Sequence, residues 1–315
     1  MLSDKMPKEN KTKLFFEDTK KDWSLNKSLY LLVIPVLAFY ILFCYKPMYG
    51  AIIAFKDYSP RFGISGSPWA GLKYFEQFFG SPYFFRVLKN TLWISFCSIV
   101  VVFPMPIMLA LLLNELRSRL FSRFVQTASY LPHFISLVVV CGLIKEFTAD
   151  NGIINDFMAL FGHEPATLLL YSKYFVPIYI LSDIWQGIGW GSIIYLAALT
   201  GIDQSLYEAA TIDGAGRWKQ TLHVTLPGII PTIIVMLILR LGNIMQVGFE
   251  KIILLYNPLV YDTADVISSF VYRKGVVDQS YSYSAAVGLF NSVINCVFLI
   301  TANYMSKKIS DNSLW

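Results

Sequence analysis

Apolar residues along the 315-residue chain fall in long continuous runs, and the polar residues gather between them. A helix needs about 20 mostly apolar residues to cross the hydrocarbon core of a bilayer, so runs nearly free of Asp, Glu, Lys and Arg locate its elements. Six runs fit: Leu29 to Tyr45, Asn90 to Asn114, Phe124 to Ile144, Phe175 to Leu199 interrupted by Asp183, Pro231 to Phe249 interrupted by Arg240, and Ala285 to Met305. None shows the every-second-residue alternation of a transmembrane strand. The pattern predicts an all-α integral membrane protein of six transmembrane helices.

Composition supports a bilayer over water. The chain is 55% hydrophobic and only 15% charged, with a mean hydropathy of +0.52, outside the range of ordinary soluble domains. Basic residues then set the orientation. Residues 1–28 hold seven lysines, the link NELRSRLFSR holds Arg117, Arg119 and Arg123, and the tail adds Lys307 and Lys308. Both termini are therefore expected in the cytoplasm. The division is a cytoplasmic lead over 1–28, a membrane domain over 29–305 and a cytoplasmic tail over 306–315. The net charge of +5 follows from this topology and gives no reason to propose nucleic acid as a partner. No secretory signal is expected, because the first apolar run is long and no small-residue cleavage site follows it. Cys44, Cys97, Cys141 and Cys296 all fall inside the runs and read as buried small apolar residues. Neither they nor the three histidines show metal-ligand spacing, so no metal is expected.

One link breaks the apolar monotony. EAATIDGAGRWKQTLHVTLPG, Glu208 to Gly228, lies between the fourth and fifth runs, in a loop over 201–228 that the topology puts in the cytoplasm. Ser205-x-x-Glu208 is a possible capping box, Leu206, Ala209 and Ala210 share one helical face, and Asp213-Gly214 supplies a C-terminal stop. A second helix through Trp218 and Leu222 is expected to end or turn at Pro227. Small residues on such a bend allow a partner's backbone close, and Arg217 and Lys219 can meet acids. A plain connector between two spans is the other reading of the same residues.

Glu208-Ala209-Ala210, Gly214, then Val224-x-Leu226-Pro227 resembles the EAA motif of ABC importer permeases, with Val224 where that family usually carries Ile. IDGAG and the later RLGNIMQVGFEKIILLYNPLVYDTADVISSFVYRKG resemble the carbohydrate importer permeases, in particular the oligosaccharide and polysaccharide subgroup that handles alginate or complex glycans. The likeness runs from about Leu29 to the C-terminus. It implies that Glu208, Ala209, Ala210, Asp213, Gly214, Leu226 and Pro227 form a coupling helix-turn-helix against a cytoplasmic ATPase present in two copies. It also implies a second permease subunit, homologous and non-identical, and an extracellular or periplasmic solute-binding protein. ATP and Mg would sit on the partner ATPase and no cofactor on this chain, which is not an enzyme; GK, the core of a phosphate-cradling loop, occurs nowhere in it.

The polar residues inside the spans carry the remaining chemistry. Arg240 lies roughly 14 Å along span five from Pro231, near the bilayer midplane, where an arginine must face protein or water. At 100° per residue Arg240, Asn243, Gln246 and Glu250 share one third of a helix, with Asp183 a candidate partner for Arg240. The stripe either ties span five to its neighbours or forms a sugar-compatible wall with Gln186 and Trp190 of span four and Asn291 and Asn295 of span six. Two rival classes are weaker on the residues. An intramembrane protease would use Ser65 of GISG, which sits between Pro60 and Pro68 away from His133 and His163. A secondary transporter would need an ion relay, and Asp183 is the lone acid well inside a span.

Overall fold

In the computed structural model, Trp23 and residues 25–310 are described. The lead over 1–28 and the tail over 306–315 therefore lie largely outside the described residues. Those residues are helical or irregular; an isolated bridge pairs Lys56 with Trp69.

Among the described residues, four helices are long and apolar enough to cross a membrane: α1 (Lys27–Phe55), α3 (Phe84–Asn114), α9 (Arg217–Leu241) and α12 (Tyr281–Ser310). A fifth crossing forms if α4 (Arg119–Phe134) and α5 (Leu137–Phe147) count together, although they meet at 99°. The third apolar run is thus not one straight helix. Ile135 and Ser136 are extended, and the Ser136 hydroxyl caps α5 by accepting from the Val139 amide. The fourth run becomes α7 (Ser172–Leu199), a 28-residue helix about 42 Å long. Its Asp183, Gln186, serines and glycines keep it less apolar than the four. GIGWG does not break α7. A Cβ on Gly189 would collide with the Ser129 carbonyl of α4, and one on Gly191 would lie 2.9 Å from Pro106 of α3, so these glycines are close-approach points.

Shorter helices join the long ones: α2 (Lys73–Phe79), α6 (Ile153–Ala159), α8 (Gln204–Ile212), α10 (Phe249–Leu255) and α11 (Ile267–Tyr272). Three apolar clusters hold the body. Ile107, Tyr195 and Ile229 join α3, α7 and α9; Ile94, Cys141, Tyr179 and Ile252 join α3, α5, α7 and α10; Phe78, Val87, Phe270 and Val287 join α2, α3, α11 and α12. All four cysteines are free. Cys141 is buried, but Cys44 and Cys296 are exposed, so the expected burial does not hold for those two.

The fifth run departs most from its pattern. α9 stops at Leu241, and Gly242 to Gly248 run non-helically before α10. Irregular backbone inside a membrane protein persists only where protein or a cavity satisfies its polar groups. Here Ser95 donates to the Ile244 carbonyl, the Asn295 side-chain oxygen accepts from the Met245 amide at 2.9 Å, and Ser268 donates to the Val247 carbonyl at 3.4 Å.

Candidate functional site

The break after Leu241 brings the polar residues of the fifth run into one cavity. Asn243 donates its amide to the Arg240 carbonyl at 3.1 Å and Gln246 to that of Asn243 at 2.9 Å, both i to i+3 bonds. Three residues per turn eclipse side chains at i, i+3 and i+6, where an α-helix would rotate them apart. Arg240, Asn243 and Gln246 accordingly line a cavity of about 190 Å³ together with Ser95, Ser98, Tyr179 and Asp183. Ser98 begins a π-helical turn in α3, Ser98–Val102, and accepts from the Arg240 guanidinium. The expected grouping therefore forms, but through a tightened turn instead of one face of a continuous helix.

An adjoining cavity of about 560 Å³ is lined by Asp183, Gln186, Gln246, Glu250, Lys251 and Asn291, among others. Glu250 reaches it from α10, across the break from Arg240. Gln186 donates to the Ile135 carbonyl at 3.5 Å. Asn295 is buried and spends its oxygen on Met245, which makes it a fastener of the broken segment. Trp190 stacks on His133 with ring centroids 4.5 Å apart.

Arg240 does not pair with Asp183. The partner of Asp183 is Lys251, at 3.2 Å, and Lys251 also donates to the Tyr179 carbonyl at 3.3 Å and sits 4.9 Å from that ring's centre. The Lys251 side chain is only 4% exposed, so a charge at that depth requires such partners. Sequence reasoning missed it because the apolar run was taken to end at Phe249, putting Lys251 in an outer link. The signal was FEKIILLY, a lone Glu-Lys pair in an otherwise apolar stretch.

The loop over 201–228 forms a hairpin at one end of the bundle. The cap of α8 is Asp203, whose carboxylate accepts from the Ser205 amide at 2.9 Å, so the expected Ser205-Glu208 box is replaced by an aspartate cap. The same backbone bond, followed by the Ser205 side chain, holds the Asp203 pKa below its ordinary value. Gly214 has φ +76°; its amide donates to Thr211 at 3.0 Å and that of Ala215 to Ala210 at 2.9 Å, the paired bonds of a Schellman stop. Pro227 does not end the following helix. A π-helical turn, Thr221–Thr225, precedes it, and α9 runs through Leu226, Pro227 and Pro231. Tyr207 bonds Thr225 at 3.0 Å and Gln220 bonds Thr211 at 3.0 Å, fastening α8 to α9. Glu208, Ala209 and Asp213 are exposed, as are Leu206, Ile212 and Trp218; Ala210 is half-buried.

Elsewhere, Ser65 lies in a short turn, Gly63–Gly66, whose Ile64 carbonyl accepts from Lys56 at 2.6 Å. On the same segment Asp57 accepts from Tyr74 and, at 2.9 Å, from Lys73. The Tyr74 bond and then the lysine lower the pKa of Asp57.

Comparison with known proteins identifies this arrangement. Residues 102–311 match the family described as binding-protein-dependent transport system inner membrane component. Over 290 residues the chain is 45% identical to the polygalacturonan/rhamnogalacturonan transport system permease protein YteP of Bacillus subtilis (strain 168), covering 92% of this chain and 90% of that protein. It is also 45% identical to protein LplB of the same organism, covering 92% of each. A crystal structure of a bacterial ABC transporter involved in the import of the acidic polysaccharide alginate matches with a TM-score of 0.86 and 44% identity, over 94% of this chain and 99% of that one. The chain is a transport subunit and not an enzyme, and it belongs to the family of inner-membrane components of binding-protein-dependent transport systems.

Proposed function

We propose that the chain is one of two permease subunits of an ABC importer and passes an oligosaccharide or polysaccharide across the cytoplasmic membrane. The observation that carries this reading is the pair of adjoining cavities into which Arg240, Asn243, Gln246, Asp183 and Gln186 bring polar groups within an otherwise apolar helical body. Sugar hydroxyls need hydrogen-bonding walls, and a guanidinium suits carboxylated sugars. The transport of polygalacturonan and of alginate named for its relatives makes uronate glycans the first substrates to test. Six crossings follow if α7 and the bent α4–α5 pair each span once; both termini and the hairpin over 201–228 then share one side, and the basic clusters beside the spans make that side the cytoplasm. The unit is then a lead over 1–28, a permease domain over 29–305 and a tail over 306–315. The exposed Ala209 face, flanked by Leu206, Ile212 and Trp218, suits the cleft of a cytoplasmic ATPase. Two ATPase copies would hold ATP and Mg, and a solute-binding protein would deliver the glycan from outside; one solved relative is described in complex with its alginate pentasaccharide-bound periplasmic protein.

The test is uptake into proteoliposomes holding this chain, its sister permease and the ATPase, with the binding protein supplied outside. ATP-dependent accumulation of oligogalacturonate or oligoalginate is expected. Accumulation driven by an ion gradient without ATP would overturn the reading.

A further inference from the structure

Beside the polar cavity, between the N-terminal halves of α3 and α7, lies a groove of different chemistry, about 720 Å³ in volume. From α3 it takes Lys89, Trp93, Cys97 and Val101, each four residues after the last, so they form one stripe along the helix. The cavity serines Ser95 and Ser98 fall about half a turn away on the same helix. From α7 it takes Lys173 at the first turn and then Val176 and Ile180. Each stripe thus begins with a lysine and continues apolar, for about 18 Å on α3 and about 10 Å on α7. Both lysines are exposed and neither is in an ion pair; Lys173 rests over the Tyr174 ring at 4.6 Å. The rim acid Asp262 already accepts from Ser172 at 2.5 Å.

An apolar trough two helices wide, headed at one end by two ammonium groups, complements a molecule with hydrocarbon chains and an anionic head. We infer that this groove is a binding site for an anionic phospholipid, with the phosphate between Lys89 and Lys173 and an acyl chain along Trp93, Cys97 and Val101. Two ammonium groups outnumber the one rim carboxylate, Asp262, so a net positive charge is left for an anionic head, and a zwitterionic lipid would bring its own cation to it. With both termini cytoplasmic, the site belongs to the outer leaflet. Because α3 and α7 also wall the polar cavity, a lipid bound between them braces the two helices beside it.

Trp93 is a reporter built into the groove. The complete transporter is reconstituted in phosphatidylcholine vesicles containing a small fraction of phosphatidylglycerol or phosphatidylcholine with brominated chains, and tryptophan quenching is compared. Brominated phosphatidylglycerol is expected to quench at lower mole fraction, with about a 30-fold preference from two basic contacts. Trp93→Phe removes the difference, assigning it to this groove, and Lys89→Gln with Lys173→Gln removes the preference while leaving Trp93 in place. Equal quenching by both lipids, or none assignable to Trp93 because a neighbouring protein helix covers the groove, overturns the proposal. Equal quenching of the wild type overturns the proposal without any variant, and should Trp93→Phe fail to assemble, Trp93→Tyr makes the same assignment.

Discussion

At the scale of single residues, the Lys251–Asp183 pair and the Arg240–Ser98 contact are charges that the cavities' surroundings must satisfy. Lys251 is nearly inaccessible, whereas the Asp183 side chain is 30% exposed toward the cavities. Lys251→Met removes one partner and leaves a carboxylate in a poor dielectric, a change that costs roughly 3–5 kcal/mol when fully buried and less at this exposure. Folded yield in detergent is expected to fall, and adding Asp183→Asn to recover most of it; a double variant as unstable as the single one would show that the lysine is held by packing and Tyr179 alone. Asn243 and Gln246 present the opposite case. Both are exposed to the cavity, and Asn243 bonds only locally, to the Leu239 carbonyl at 3.1 Å. Asn243→Ala and Gln246→Ala are expected to leave assembly and basal ATP hydrolysis intact while lowering uptake or shifting chain-length preference. Unchanged uptake kinetics across several glycans would remove these residues from the pathway. Which side chains line the two cavities was legible in the sequence for Arg240, Asn243, Gln246, Gln186 and Asp183. The pairing was not, because a partner from α10 becomes available only once the chain has turned at Gly242.

At the scale of elements, most of the helical content was legible because an unbroken apolar run in lipid has few alternatives to a helix. The breaks were not. The long runs, read as spans, continue past Leu241 and past Ile135, and what stops each helix is a set of remote side chains or a local serine cap. Similarly, Pro227 looked like a terminus, but the π-helical turn before it relieves the ring's clash with the preceding carbonyls, so α9 continues. The hairpin over 201–228 shows the reverse, since Gly214 was readable as a left-handed stop and has that conformation. Asp203→Ala is expected to destabilise α8, seen as faster amide exchange across 204–212. Since the folded carboxyl has a pKa below its ordinary value of 3.8, the cap contributes fully above that value and is lost only as pH falls through the lowered one. Exchange in α8, corrected for intrinsic rates, should therefore be flat from neutral pH to about pH 5. Ala209→Arg leaves the cap and stop intact but obstructs the exposed face; insertion is expected to be normal and stimulation of the ATPase lost. Wild-type uptake in that variant would dissociate the hairpin from coupling.

At the scale of the whole molecule, the chain leaves one large surface unsettled. α1 is 29 residues long with none of its most apolar window buried, and it meets the body chiefly at its end, where Tyr49–Phe55 packs on α12 and the Tyr58 amide donates to Ser282 at 2.9 Å. Leu29, Leu32, Val36, Phe39, Leu42 and Phe43 all face outward. Lipid tails would satisfy such a surface without specificity, since helices in a bilayer gain little by hiding apolar groups from it. A second permease would satisfy it with shape, and the two-subunit reading requires some element of each chain to reach the other. Cys44, exposed on α1, separates these outcomes. In a variant keeping Cys44 while Cys97, Cys141 and Cys296 are replaced by alanine, a benzophenone maleimide is attached and irradiated in the reconstituted transporter. A covalent product with the combined mass of this chain and its sister permease is expected. Products with lipid alone would confine α1 to the bilayer and require the subunit contact to be built from α3, α7 and α9, whose polar cavities would then open directly onto the partner.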